Sequence, residues 1–109
     1  MAVDLERVTV EHDPAKSRWV ARVGDAIAVA DYMRDGETIT FTHTFVPPEI
    51  EGQGVANKLV RAALDDARAR GLRIAPLCQF VRVYMRRHRE YDDLLAPGFR
   101  PGTTGGADG

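Results

Sequence analysis

Phe45-Val46-Pro47-Pro48-Glu49-Ile50-Glu51-Gly52-Gln53-Gly54-Val55-Ala56-Asn57-Lys58-Leu59-Val60 decides how this chain is read. An apolar, β-branched stretch ends at a double proline, passes two glycines and opens directly into a helical pattern. Glycines at a strand-to-helix junction let a ligand approach the backbone closely. The first N–H groups of the following helix lack intrahelical partners and carry the positive end of its dipole. Such an order of elements makes a site for a phosphate or pyrophosphate group. The competing reading of Gly52 and Gly54 is a tight turn with no ligand.

Other phosphate-binding motifs fit poorly. No Gly-x-x-x-x-Gly-Lys-Ser/Thr occurs, which removes the P-loop. A dinucleotide fingerprint needs a third glycine and a βαβ frame with an acidic residue about 20 positions on. The elements before this loop read instead as an antiparallel meander.

Working outward, residues 5–12 alternate as a strand. Residues 17–23 follow as a second, with Trp19, Ala21 and Val23 on one face. After the Gly24 turn, residues 26–33 form a third, rich in small and β-branched side chains. Asp35-Gly36 is a hairpin signal. Residues 38–46 then have the clearest period of two, placing Ile39, Phe41, His43 and Phe45 on one face and Thr38, Thr40, Thr42 and Thr44 on the other. From Gly54 or Val55 the period becomes helical: Ala56, Leu59, Val60, Ala63, Leu64 and Ala67 share a stripe, with Lys58, Arg61, Asp65 and Arg68 outward. Gly71 suits a helix end. Residues 72–77 read as a fifth strand and 79–89 as a second helix, with Phe80, Val83, Tyr84 and Met85 inward. Residues 1–96 are thus expected as one compact α/β (α+β) domain, and 97–109 as a flexible tail.

Composition narrows the function classes. The chain has 109 residues, 44% of them hydrophobic, and a formal net charge of −1. No apolar run approaches the ~18 residues of a membrane span, and cytoplasmic residence is the default expectation. One cysteine excludes an internal disulfide and a cysteine-based zinc cluster, and no metal is expected. Balanced charge argues against nucleic acid as a partner, although Arg82, Arg86, Arg87 and Arg89 cluster locally. A monomer or weak dimer is expected.

Glu51-Gly52-Gln53-Gly54-Val55-Ala56 resembles the coenzyme A pyrophosphate loop of the GNAT-type N-acetyltransferase superfamily, which reads Gln/Arg-x-x-Gly-x-Gly/Ala. Glu51 stands where Arg or Gln is usual, and a carboxylate there is expected to turn to solvent. The order β-β-β-β-α-β-α is similar to the GNAT core over roughly residues 5–95, with a mostly antiparallel sheet. Too few residues follow Leu95 for the strand pair that usually completes that sheet. His43-Thr44-Phe45-Val46-Pro47, Pro76-Leu77-Cys78 and Glu90-Tyr91-Asp92-Asp93-Leu94-Leu95 resemble the small single-domain YjdJ-like branch.

That resemblance implies acetyl-CoA as cofactor and a primary amine, on a peptide or protein, as acceptor. Gly52, Gln53, Gly54, Val55, Ala56 and Asn57 would hold the pyrophosphate, and the backbone of Phe45 and Val46 the pantetheine arm. Two residues compete for the chemistry. Cys78 sits where the fifth strand meets the second helix, whose N-terminal field favours a nucleophilic thiolate; it is a candidate acetyl relay or a small buried hydrophobe. His43 is a candidate general base or a packed core histidine. Tyr84 could return a proton to the departing thiolate or serve packing alone, while His88 reads as a surface group. The arginine run reads as a solvated face, or as a contact for the coenzyme's 3′-phosphate or an acidic partner. The alternative to an enzyme is a GNAT-fold module that binds coenzyme A or a protein with little turnover.

Overall fold

The computed structural model describes residues 3–99, which form an α+β fold around one five-stranded open sheet. Strands β1 (Thr9–Asp13), β2 (Arg18–Val23), β3 (Ala26–Asp35) and β4 (Thr38–Phe45) run antiparallel in sequence order. Helix α1 (Val55–Arg70) crosses to β5 (Arg73–Pro76), which pairs parallel to β4; helix α2 (Gln79–Arg87) follows. No strand pair follows α2 among the described residues. A 3-10 segment, Arg89–Leu94, leads instead to a single bridge between Leu95 and Ile74. Residues 97–99 close a turn in which the Phe99 N–H donates to the Ala96 carbonyl at 3.0 Å; the rest of the expected tail lies outside the described residues.

Both helices bury apolar stripes in one cluster with β4 and β5. Val60, Ala63, Leu64 and Ala67 of α1 meet Ile39, Phe41 and Ile74, together with Val81, Tyr84 and Met85 of α2. Val81, absent from the expected inward set, is fully buried, whereas Phe80 and Val83 are only half-buried. A second cluster joins Val55 and Leu59 to Ala21, Ala28 and Ala30 beneath the start of α1. The small residues of β2 and β3 let α1 lie close to the sheet there. Gly71, at φ 71°, ends α1 in the left-handed conformation expected of it.

Two strands depart from expectation. Residues 5–7 form a 3-10 turn, because the Asp4 carboxylate accepts the Glu6 N–H at 3.1 Å and caps it; β1 therefore starts only at Thr9. In β4, Tyr32 pairs with Phe41 while Asp31 pairs with His43, so Thr42 is an extra residue. One extra residue reverses the facing of everything beyond it. Ile39 and Phe41 are buried as expected, but His43 is exposed and Phe45 is 49% exposed; His43 is no core histidine. Thr44, expected on the solvent side, turns inward instead.

Candidate functional site

The sheet parts beside this bulge. Pairing between β4 and β5 spans Thr38–Phe41 against Arg73–Pro76, and the Cys78 N–H adds one last bond to the Phe41 carbonyl at 2.8 Å. β4 continues through Phe45 without a β5 partner. Between the separated ends lies a cleft of about 390 Å³, bordered by Thr44, Val46, Gly52, Gly54, Asn57 and the Phe80 ring. Backbone groups on the free edge of β4 face that gap and are available to an extended ligand.

The glycine loop forms the far end of the cleft. Pro48–Ile50 makes a 3-10 turn whose Ile50 anchors the loop in the core. Gly52 and Gly54 hold φ of 74° and 87°, which side-chain-bearing residues adopt only with strain. Gly54 is the N-cap of α1, with no side chain to cap it, and the first intrahelical bond is Lys58 N–H to the Gly54 carbonyl at 3.0 Å. The N–H groups of Val55, Ala56 and Asn57 therefore precede the helix's own ladder and point out of its positive end. Val55 itself packs in the core, and Ala56 and Asn57 border the cleft. Glu51 is exposed as expected, yet it too borders the cleft mouth.

An N-terminal brace, unforeseen in the sequence, holds this loop from behind. Gln53 Oε1 accepts the Val3 N–H at 2.5 Å. Lys58 Nζ donates to the carbonyls of Leu5 at 2.5 Å and Val8 at 3.1 Å. The Leu5 side chain lies against Gly54, where a Cβ would stand 3.1 Å from it. The only sequence signal was Asp4 two residues before Glu6, a local cap that halts the strand pattern.

Of the two chemical candidates, the structure sets one beside the cleft, behind Thr44. Cys78, buried, is the N-cap of α2, and its sulfur lies 3.1 Å from Thr44 Oγ1. Either the hydroxyl or the thiol can donate in this bond, and an anionic sulfur there would accept from the hydroxyl. His43 is turned to the opposite face, in register with Asp31. Tyr84 is buried, stacks on His88 with ring centroids 4.1 Å apart, and is pushed by burial toward higher pKa. It borders a groove on the outer side of α1, with Asn57, Lys58 and Arg61, rather than the Thr44 cleft. Phe45 leaves its side chain exposed, while Val46 packs under the loop. Among the described residues no group of three His, Cys, Asp or Glu is placed to hold a metal, and no helix is long and apolar enough to cross a membrane.

Known proteins resemble this chain in sequence and fold. Protein NATD1 of Xenopus tropicalis is 26% identical over 96 residues, covering 83% of this chain and 87% of its own. The solution structure of a GCN5-like protein from Staphylococcus aureus matches with a TM-score of 0.65 and 26% identity, over 81% of this chain and 87% of that one. The GCN5-related N-acetyl-transferase family model matches residues 18–94, a span that contains the splayed strands, the glycine loop and Cys78. Cleft, loop and sequence point the same way: the chain belongs to the GCN5-related N-acetyltransferase family.

Proposed function

We propose that the cleft binds acetyl-CoA and that the protein transfers the acetyl group to a primary amine on a peptide or protein. The observation that carries this reading is the parting of β4 from β5 directly beside an uncapped helix start with two left-handed glycines. The N–H groups of Val55, Ala56 and Asn57 hold the pyrophosphate, and no side chain at Gly52 or Gly54 stands in its way. The backbone of Phe45 and Val46, along the free edge of β4, pairs with the pantetheine amides, which delivers the thioester to the Thr44–Cys78 end. Family membership supports this donor, and the open cleft supports the acceptor class. A cytoplasmic site of action goes with it, since that is where acetyl-CoA and free thiols coexist.

In this reading Cys78 relays the group. Its sulfur gives up a proton and attacks the thioester carbonyl carbon; the bond to the coenzyme sulfur breaks, and that sulfur leaves with a proton as the free thiol. The acceptor nitrogen then attacks the S-acetyl carbon, the bond to Cys78 breaks, and the proton lost by the amine restores the thiol. Acetyl thus passes between two thioesters of similar energy before it reaches nitrogen. Thr44 positions the sulfur and donates to it when it is anionic. Intact-mass measurement after mixing protein with acetyl-CoA tests this: one acetyl mass, released by hydroxylamine, is expected, and no bound coenzyme or adduct at millimolar acetyl-CoA overturns it.

A further inference from the structure

One flank of α2 carries Arg82 and Arg86, spaced i and i+4 and hence on one side of the helix, and Arg89, the first residue of the 3-10 segment beyond it, borders the same cavity as they do. Phe80 and Tyr84 occupy the other flank, toward the donor cleft and α1. The arginine flank borders a separate cavity of about 410 Å³ whose walls include Pro76, Met85, Leu95 and Phe99. Arg82 Nε donates to the Pro76 carbonyl at 3.4 Å. Arg89 Nε lies 2.5 Å from Asp92, the one carboxylate bordering the cavity among the described residues. Arg86 is exposed and has no ion pair among the described residues.

Such a cavity has apolar walls beneath a rim of three guanidinium groups and one carboxylate. It complements a chain segment that carries carboxylates around an apolar side chain. The coenzyme is an unsuitable occupant, because the flank faces away from the glycine loop. Nucleic acid is disfavoured by the net charge of −1 and by Phe99 being the only aromatic ring at the cavity among the described residues. Position adds to chemistry. Pro76 lies two residues before Cys78, and the Arg82 N–H donates to the Cys78 carbonyl at 3.0 Å, so the rim begins one helical turn from the sulfur.

We propose that this cavity docks the acceptor, an acidic peptide segment with an apolar residue, and presents its lysine to the Cys78 end of the cleft. The inference rests on the acetyl-transfer reading above. Carboxylates of the segment pair with Arg86 and Arg82, and its apolar side chain seats between Met85 and Pro76.

Three fluorescent peptides, Glu-Leu-Glu-Gly-Lys, Gln-Leu-Gln-Gly-Lys and Glu-Ser-Glu-Gly-Lys, test it by anisotropy and as acetylation substrates. The first is expected to bind at least about tenfold tighter than the second at low salt, with the gap shrinking as ionic strength rises. It should also bind more tightly than the third. Arg86→Gln should weaken it about fivefold and raise KM with kcat unchanged, while keeping the coenzyme-induced rise in melting temperature. Equal binding of all three peptides, an unaffected Arg86→Gln, or tighter binding of oligouridylate at physiological salt overturns the docking site. Coenzyme binding without peptide discrimination defeats only the docking. Discrimination lost in Arg86→Gln, without any coenzyme binding, defeats only the donor reading.

Discussion

Thr44 Oγ1 lies 3.1 Å from the Cys78 sulfur, joining β4 to the first turn of α2 across the point where the sheet parts. The contact exists because of the extra residue at Thr42. In an unbroken strand Thr44 would face solvent and His43 would point at the cleft. The bulge thus exchanges an imidazole for a hydroxyl beside the sulfur. A bulge next to a cleft commonly re-aims a side chain in this way.

Coenzyme A is expected to raise the melting temperature, because it binds the native state alone; at a hundredfold excess over Kd the gain is about 2.7 kcal/mol. Gly54→Val should abolish the shift. Its Cβ would meet Leu5 at 3.1 Å, and φ of 87° strains a β-branched residue. The variant should still melt cooperatively, since the loop is exposed to half-buried there. Thermal denaturation with and without millimolar coenzyme A decides, and an unchanged wild-type transition removes the donor reading.

Lys58 ties the N-terminal brace to α1 through two backbone carbonyls. Lys58→Met keeps the aliphatic stem and removes both bonds, at a cost of about 1–3 kcal/mol to local order. Hydrogen exchange should quicken over residues 3–8 while the buried stretch of α1 around Leu59 and Leu64 stays protected. Uniformly faster exchange would mean that the brace is part of global stability rather than a local clasp.

Much of this architecture was legible. The switch from period two to a helical period at Val55, after Gly-x-Gly, fixed the glycine loop at a helix start, and the order of elements fixed the sheet. The bulge was not legible. Ile39, Phe41, His43 and Phe45 alternate with threonines without interruption, and the extra residue shows only in the cross-strand register against Asp31 and Tyr32. Local pattern cannot see a non-local pairing, so His43 and Phe45 were assigned the wrong face. The 82/86/89 spacing of arginines was readable, but the cavity was not, because Leu95 and Phe99 reach it from the chain beyond α2.

Tyr91 offers a pH test of how the segment after α2 is held. Its hydroxyl donates to Asp65 at 2.6 Å, and its ring is buried with the guanidinium of Arg68 5.7 Å from its centroid. Burial first, and the Asp65 bond second, push its pKa up to about 12 from 10. The folded state thus holds the proton more tightly than the unfolded chain. That stabilisation is complete below pH 10 and is lost as pH rises toward 12. Denaturant midpoints should fall over that window, and Tyr91→Phe should reduce the fall while lowering stability at neutral pH by about 1 kcal/mol. Equal alkaline slopes in both proteins would refute the assignment to Tyr91, since Tyr32 and Tyr84 are also shifted upward by burial.

Cys78 and His43 divide the mechanism between them. Under the relay, acetyl-CoA alone adds one acetyl group to the wild-type protein, and hydroxylamine removes it. Cys78→Ser should lose the labile adduct, because a serine hydroxyl ionises far less readily than a thiol. Cys78→Ala should still show the coenzyme-induced thermal shift, since the glycine loop stands at the other helix. Its turnover should drop at least about a hundredfold, the scale for loss of a nucleophile or a proton-transfer group. Thr44→Val keeps the shape but removes the hydroxyl 3.1 Å from the sulfur, and should slow adduct formation about tenfold at unchanged coenzyme affinity. His43→Ala, an exposed change on the far face, should leave stability within about 0.5 kcal/mol of wild type and cost less activity than Cys78→Ala. Direct transfer predicts instead no adduct and near-normal turnover in Cys78→Ala. Full activity in Cys78→Ala would end the relay and leave the thiol as packing beneath Thr44.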